Sequence, residues 1–121
     1  MASFPQHRWL ESESRGNLVI LRFTEAKLLD EDESQVLVKP WYAWLEKNPG
    51  RKILVDFRHV ESLVSTLLAK LVAFHKKAAA QGGGLVLCCL NPRLQESLAI
   101  LRLNRLFQIY EDWDEAVNDL A

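Results

Sequence analysis

The sequence predicts a single α/β domain built on a mixed, mostly parallel sheet of four to five strands with about four helices. Three observations predict it. Residues 51–90, RKILVDFRHVESLVSTLLAKLVAFHKKAAAQGGGLVLCCL, read as a buried strand, a short hydroxyl-bearing loop, an amphipathic helix, a glycine stop and a second buried strand, a complete βαβ unit. Elsewhere, β-favouring runs and helix-period segments alternate, the order expected of a mostly parallel sheet. At 121 residues, 49% of them apolar, the chain suits one domain that buries about two-thirds of the surface its unfolded form exposes.

Residues 1–7 (MASFPQH) carry no periodicity and are expected to form a flexible tail ahead of a domain spanning 8–121. Trp9 to Ser14 suits a short edge strand, and Gly16-Asn17 supplies a hairpin turn into Leu18-Val19-Ile20-Leu21-Arg22-Phe23. The acidic run Leu29-Asp30-Glu31-Asp32-Glu33-Ser34, followed by Val36, Leu37, Trp41, Trp44 and Leu45 at helical spacing, marks a helix N-terminus where acids complement the dipole. A calcium loop does not fit, because the turn position holds Gln35 and the twelfth holds Trp41 instead of glycine and glutamate. Pro40 inside this helix predicts a kink or a late start, and Asn48-Pro49-Gly50 ends it.

Ile53-Leu54-Val55-Asp56-Phe57 is nearly continuous apolar sequence, as in an interior strand. In the helix that follows, Leu67, Leu71, Phe74 and Ala78 form one stripe, and Lys70, Lys76 and Lys77 lie mostly opposite. Gly82-Gly83-Gly84 closes a helix and precedes a strand, which is the wrong order for a phosphate loop. Leu85 to Leu90 is the second buried strand. Its adjacent Cys88 and Cys89 are expected to point to opposite faces as reduced thiols. Asn91-Pro92 caps a helix with Leu94, Leu98 and Leu101 as its buried face, Phe107 to Tyr110 is a short last strand, and Asp112 with Glu115 caps a final helix.

Several function classes fall away. A net charge of −1 with acids and bases interspersed gives no footprint for nucleic acid. No window approaches the roughly 20 apolar residues that span a bilayer, and the N-terminus has no signal-peptide core, so a cytoplasmic protein with no direct membrane insertion is expected. His7, His59 and His75 lack metal-ligand spacing, and no nucleophile stands beside a readable base, so neither an enzyme nor a cofactor or metal site is expected. Trp9, Trp41, Trp44 and Trp113 read as packing residues, with Trp41 and Trp44 a partner surface if exposed.

Taken in order, three segments are similar to the STAS domain family of bacterial anti-sigma factor antagonists and sulphate-transporter tails: VDFRHVESLVSTLLAKL, KKAAAQGGGLVLCCLNP and LRLNRLFQIYEDWDEAV. The resemblance runs from about Leu18 to Leu120. It implies a STAS-like fold and a regulatory protein that binds an anti-sigma factor or serine/threonine kinase, as a monomer or weak dimer. In that family the loop opening the central helix reads Asp-Ser-Ser-Gly or Asp-Thr-Ser-Gly, and a kinase phosphorylates its last hydroxyl. Those positions fall on Val64, Ser65, Thr66 and Leu67, so the hydroxyls are kept and the flanking acid and glycine are not. The resemblance makes Thr66 and Ser65 the phosphoacceptor candidates and assigns Asp30, Ser62, Val64 and Leu67 to the partner-binding surface. An unmodified helix cap is the other role open to Thr66. The alternative function is an unphosphorylated interaction or small-ligand module, acting as a scaffold or transporter-associated subunit.

Overall fold

A computed structural model describes residues 4–28 and 31–120. The hairpin forms as expected: β1 (Leu10–Arg15) and β2 (Leu18–Phe23) pair antiparallel from Leu10 opposite Phe23 to Arg15 opposite Leu18. Gly16 takes φ +59°, the positive value a two-residue hairpin turn of the II′ kind needs at its first position. Arg51, only 8% exposed, ties this turn to the sheet, its Nε donating to the Asn17 carbonyl at 2.7 Å.

After β3 (Lys27–Leu28) comes α1 (Glu31–Lys47), then β4 (Lys52–Asp56), β5 (Ser62–Leu63), α2 (Ser65–Ala80) and β6 (Gly84–Cys88). The chain ends with α3 (Pro92–Ile100), a 3₁₀ turn at Leu103–Arg105, β7 (Gln108–Tyr110) and α4 (Trp113–Leu120). The main sheet runs β1-β2-β4-β6-β7. Only the first pair is antiparallel; β2, β4, β6 and β7 pair parallel in turn.

Strand alternation sorts the apolar residues into two layers. Val19, Leu21, Phe23, Ile53, Val55, Leu85 and Leu87 face the cluster that holds Trp41 and Leu45 of α1, Leu67, Leu71, Phe74 and Ala78 of α2, and Leu94 and Leu98 of α3. Leu18, Ile20, Leu54, Val86 and Cys88 face the other way and are covered by Ala116 and Val117 of α4. The central strands are therefore buried on both faces, which is why their sequence is a continuous apolar run.

Local chemistry fixes the ends. Asn91 Oδ1 accepts from the Leu94 N–H at 2.7 Å with Pro92 at the first helical position, and Asp112 Oδ1 accepts from the Glu115 N–H at 2.8 Å. At the close of α2 the Gly83 N–H donates to the Ala78 carbonyl at 3.0 Å, and a Cβ on Gly83 would lie 2.1 Å from the Arg51 carbonyl oxygen. The glycines are thus a helix stop and a close approach between chain segments.

The structure corrects several expectations. Residues 4–7 are not loose, because Phe4 is 5% exposed and packs edge-on against Trp41 and Trp44 at ring distances of 5.3 and 4.9 Å. Helix α1 starts at Glu31 and continues through Pro40, so there is no late start. Trp41 and Trp44 are buried and form no exposed pair. Cys89 lies beyond the strand at φ +63°, which turns its sulfur back to 3.6 Å from that of Cys88, so the two thiols share one side. Leu101 follows α3 as its C-cap residue and is 56% exposed; the chain leaves the helix before that position can face the core. The two-residue pair β3–β5 has no periodic signal in the sequence, yet it holds the segment entering α1 beside the one entering α2.

Candidate functional site

The hydroxyl-bearing segment folds as a two-residue strand leading directly into a helix. Lys27 pairs with Ser62 and Leu28 with Leu63, and the Ala26 carbonyl accepts from the Glu61 and Ser62 N–H groups at 2.7 and 3.2 Å. The chain turns into α2 at Val64, the N-cap residue, with φ −71° and ψ 144° and no side-chain hydrogen bond. Ser65 and Thr66 are the first two helical residues, so neither hydroxyl caps the helix. The capping role open to Thr66 is thereby excluded. A valine at the cap leaves the first-turn N–H groups without a side-chain acceptor.

Exposure separates the candidate residues. Ser65 is exposed, Thr66 and Ser62 are half-buried, and Val64 is half-buried with its side chain packed on the core. Leu67 is fully buried, at 0% exposure, which corrects its assignment to the partner-binding surface. It stands one turn before Leu71 on the stripe facing the sheet, so it anchors the start of α2 and touches nothing outside the fold. Asp30 lies outside the described residues.

Thr66 opens onto a shallow groove between the first two helices. Gln35, Val38, Lys39 and Tyr42 form the α1 side, and Ala69, Lys70 and Ala73 continue the α2 side. The Thr66 hydroxyl has no hydrogen-bond partner among the described residues, while Lys39 and Lys70 place two ammonium groups along the same groove. Farther along the two helices, Lys77 of α2 lies 5.2 Å from the Tyr42 ring and 4.0 Å from Glu46 Oε1 of α1.

A second polar cluster sits at the C-terminal ends of β4 and β6 and was missed in the sequence. Asp56, 0% exposed, accepts from Arg22 Nε at 2.9 Å and Arg58 Nε at 2.8 Å through Oδ2, and from the Arg58 N–H at 2.9 Å through Oδ1. The signal available was an acid inside a buried strand, which needs partners. The carboxylate raises the Arg22 pKa, outweighing the opposing effect of burial. Donor atoms of Asp56, Cys88 and Cys89 come within 4.8 Å of one another. Burial and then nearby negative charge push the Cys88 thiol up, and burial does the same for Cys89. With two guanidinium groups already on its carboxylate, Asp56 is the centre of a structural ion-pair cluster.

Across the sheet, His75 of α2 is a half-buried boundary residue. Its Nδ1 accepts from the Leu85 N–H at 2.9 Å. No helix among the described residues is long and apolar enough to cross a membrane.

Comparison with known proteins accords with this geometry. The family model described as "STAS domain" matches residues 10–116. A Thermotoga neapolitana protein named as a TM1081 homologue and anti-sigma factor antagonist is 33% identical over 89 residues, 73% of this chain and 79% of that protein. The solved structure of an anti-sigma-factor antagonist (STAS) domain protein from Planctomyces limnophilus superposes with a TM-score of 0.80 at 20% identity, covering 92% of this chain and 97% of that one. The phosphorylated form of the Bacillus cell fate determinant SpoIIAA gives a TM-score of 0.68 at 15% identity over 93% of this chain and 99% of its own.

Proposed function

The chain belongs to the STAS domain family, with an anti-sigma factor antagonist among its relatives, and from that premise we propose that it is a cytoplasmic regulator that docks an anti-sigma factor with serine/threonine kinase activity through the start of α2. Thr66 is the phosphoacceptor that ends the docking, with Ser65 the second choice. The protein works by binding and catalyses nothing itself.

One observation carries this reading: Thr66 occupies the first turn of α2 with a hydroxyl that makes no hydrogen bond among the described residues and faces an open groove. A hydroxyl spent on a cap would be part of the fold. This one is available. A phosphoryl group there meets the positive end of the helix dipole and the ammonium of Lys70 one turn on, so the fold tolerates it. A docked partner does not. Phosphate brings close to two negative charges, and like charges 4 to 8 Å apart repel by roughly 2 to 4 kcal/mol at an effective dielectric near 20.

That a Bacillus relative in fold exists in a phosphorylated form supports the reading. Val64 and Leu67, in place of the acid and glycine usual in the family, make this loop more apolar and stiffer, and the seating of the kinase on it must accommodate a packed valine. Mass spectrometry of the protein from its own cells, mapping residues 61–67, tests the modification. In binding assays with the co-purifying kinase, Thr66→Glu should weaken affinity by about tenfold or more while Thr66→Ala keeps it. Equal affinity of the two variants, together with no phosphate under any growth condition, would sink the proposal.

A further inference from the structure

We propose that a second site, an apolar cavity beneath β5, binds a small apolar molecule that carries no net charge. The cavity measures about 170 Å³ and lies between the sheet, α2 and α3, walled by Phe57, Leu63, Leu71, Leu87, Leu98 and Phe107. It shares no residue with the groove at Thr66, so the inference stands apart from the docking function.

Size and lining define the body of the ligand. Protein interiors hold few voids larger than a water molecule, because an empty apolar space forfeits the packing contacts of every atom around it. Cavities of about 150 Å³ lined by such side chains stay dry and take up benzene or xenon. A single ring or a short branched chain is therefore the body that fits. The polar partners that water would need stand only at the mouth, so the body of the space favours an apolar occupant.

The mouth defines the head. The exposed lining residues are Glu61, Arg93 and Ser97, with Ser62 half-buried beside them. Neither Glu61 nor Arg93 has an ion-pair partner among the described residues. One unpaired acid and one unpaired base give an opening without net charge, flanked by the Ser62 hydroxyl and by that of Ser97, which donates to the Arg93 carbonyl at 3.0 Å and is left to accept. An anionic head would face Glu61 and a cationic one Arg93, whereas an uncharged head such as a phenolic hydroxyl meets a suitable partner in either. Ser62 and Leu63 are also the whole of β5, so the bound molecule touches the strand that leads into α2.

Methyl NMR titration of the full chain with benzene, phenol, benzoate and benzylammonium tests this. Benzene and phenol should give saturable shifts at the Leu63, Leu71 and Leu98 methyls, with both charged probes weaker by about tenfold or more. Leu63→Phe and, independently, Leu68→Phe, at another residue that lines the cavity, should fill the space and abolish the shifts while the amide spectrum stays dispersed. Arg93→Glu should raise the affinity for benzylammonium relative to benzoate by about tenfold. The proposal is overturned by the absence of saturable shifts at millimolar probe, by shifts confined to residues outside the cavity, or by shifts that survive in a folded filling variant. Charged probes that bind as tightly as phenol, or that ignore Arg93→Glu, overturn the assignment of the head.

Discussion

At the scale of single residues, partners decide what each polar group does. His75 is held neutral: its Nδ1 accepts from the Leu85 N–H, a bond that protonation of this nitrogen would destroy, and burial lowers its pKa below the ordinary 6.5. Because the unfolded chain binds the proton more readily, stability from this group is complete above about pH 6.5 and is lost as pH falls from there to the lower folded-state value. Urea melts between pH 7.5 and 5 should show this decline, and His75→Leu should flatten that part of the profile. A decline unchanged by the substitution would assign it to other groups. Asp56 contrasts with it, being fully buried and the acceptor of two guanidinium groups and a backbone N–H. Asp56→Ala leaves those donors in place without their acceptor and should cost about 3 kcal/mol, whereas Arg58→Ala, whose side chain is 40% exposed, should cost under about 1 kcal/mol. Chemical denaturation of the two variants separates a buried hub from its exposed spoke.

At the scale of elements, the sequence was most legible where a periodic pattern ended in specific turn chemistry. The stripe Leu67, Leu71, Phe74, Ala78 located α2, and Asn91-Pro92 located the start of α3, because capping acts through residues adjacent in sequence. Features set by distant neighbours were not legible. Strands β3 and β5, of two residues each, exist through their pairing with one another, and no two-residue segment carries a period. Cys89 read as a strand residue on composition, but its backbone turns to positive φ at the strand's end. The phosphoacceptor candidates could be placed at the start of a helix from sequence, yet the absence of a cap at Val64 and the full burial of Leu67 required the packed structure. The glycine stop combines both kinds of information. Its local role was readable, while the approach of the Arg51 carbonyl to Gly83 was not. Gly83→Ala should therefore cost more than about 2 kcal/mol, because the clash is with backbone and cannot be relieved by a rotamer change. Gly82→Ala meets no atom within 4 Å and pays only for its φ of +89°. Thermal melts should rank the two in that order.

At the scale of the whole molecule, the two faces of the sheet do different work. One is sealed by the short helix α4, and the other carries α1, α2 and α3, and with them both the Thr66 groove and the apolar cavity. The placement of α1 thus matters to function, since Lys39 and Tyr42 form its half of the groove. Beyond its contact with α2, this helix is secured by the segment before β1, which the sequence alone suggested was loose. Phe4 packs edge-on against Trp41 and Trp44 and is 5% exposed, so a single aromatic side chain fastens the start of the chain to α1. A large buried aromatic with few neighbours along its own segment gives no periodic signal, which is why composition read it as a tail. Truncating it removes buried area and opens a space beside two tryptophans that cannot easily collapse. Phe4→Ala should cost about 3 kcal/mol, seen as a lower urea midpoint with an unchanged slope. A change in slope would mean that α1 detaches before the sheet unfolds, and a midpoint equal to that of the parent protein would return residues 4–7 to the status of a tail. Because Trp41 and Trp44 lie directly against the phenyl ring, their fluorescence in the native baseline reports the same loss without unfolding the protein.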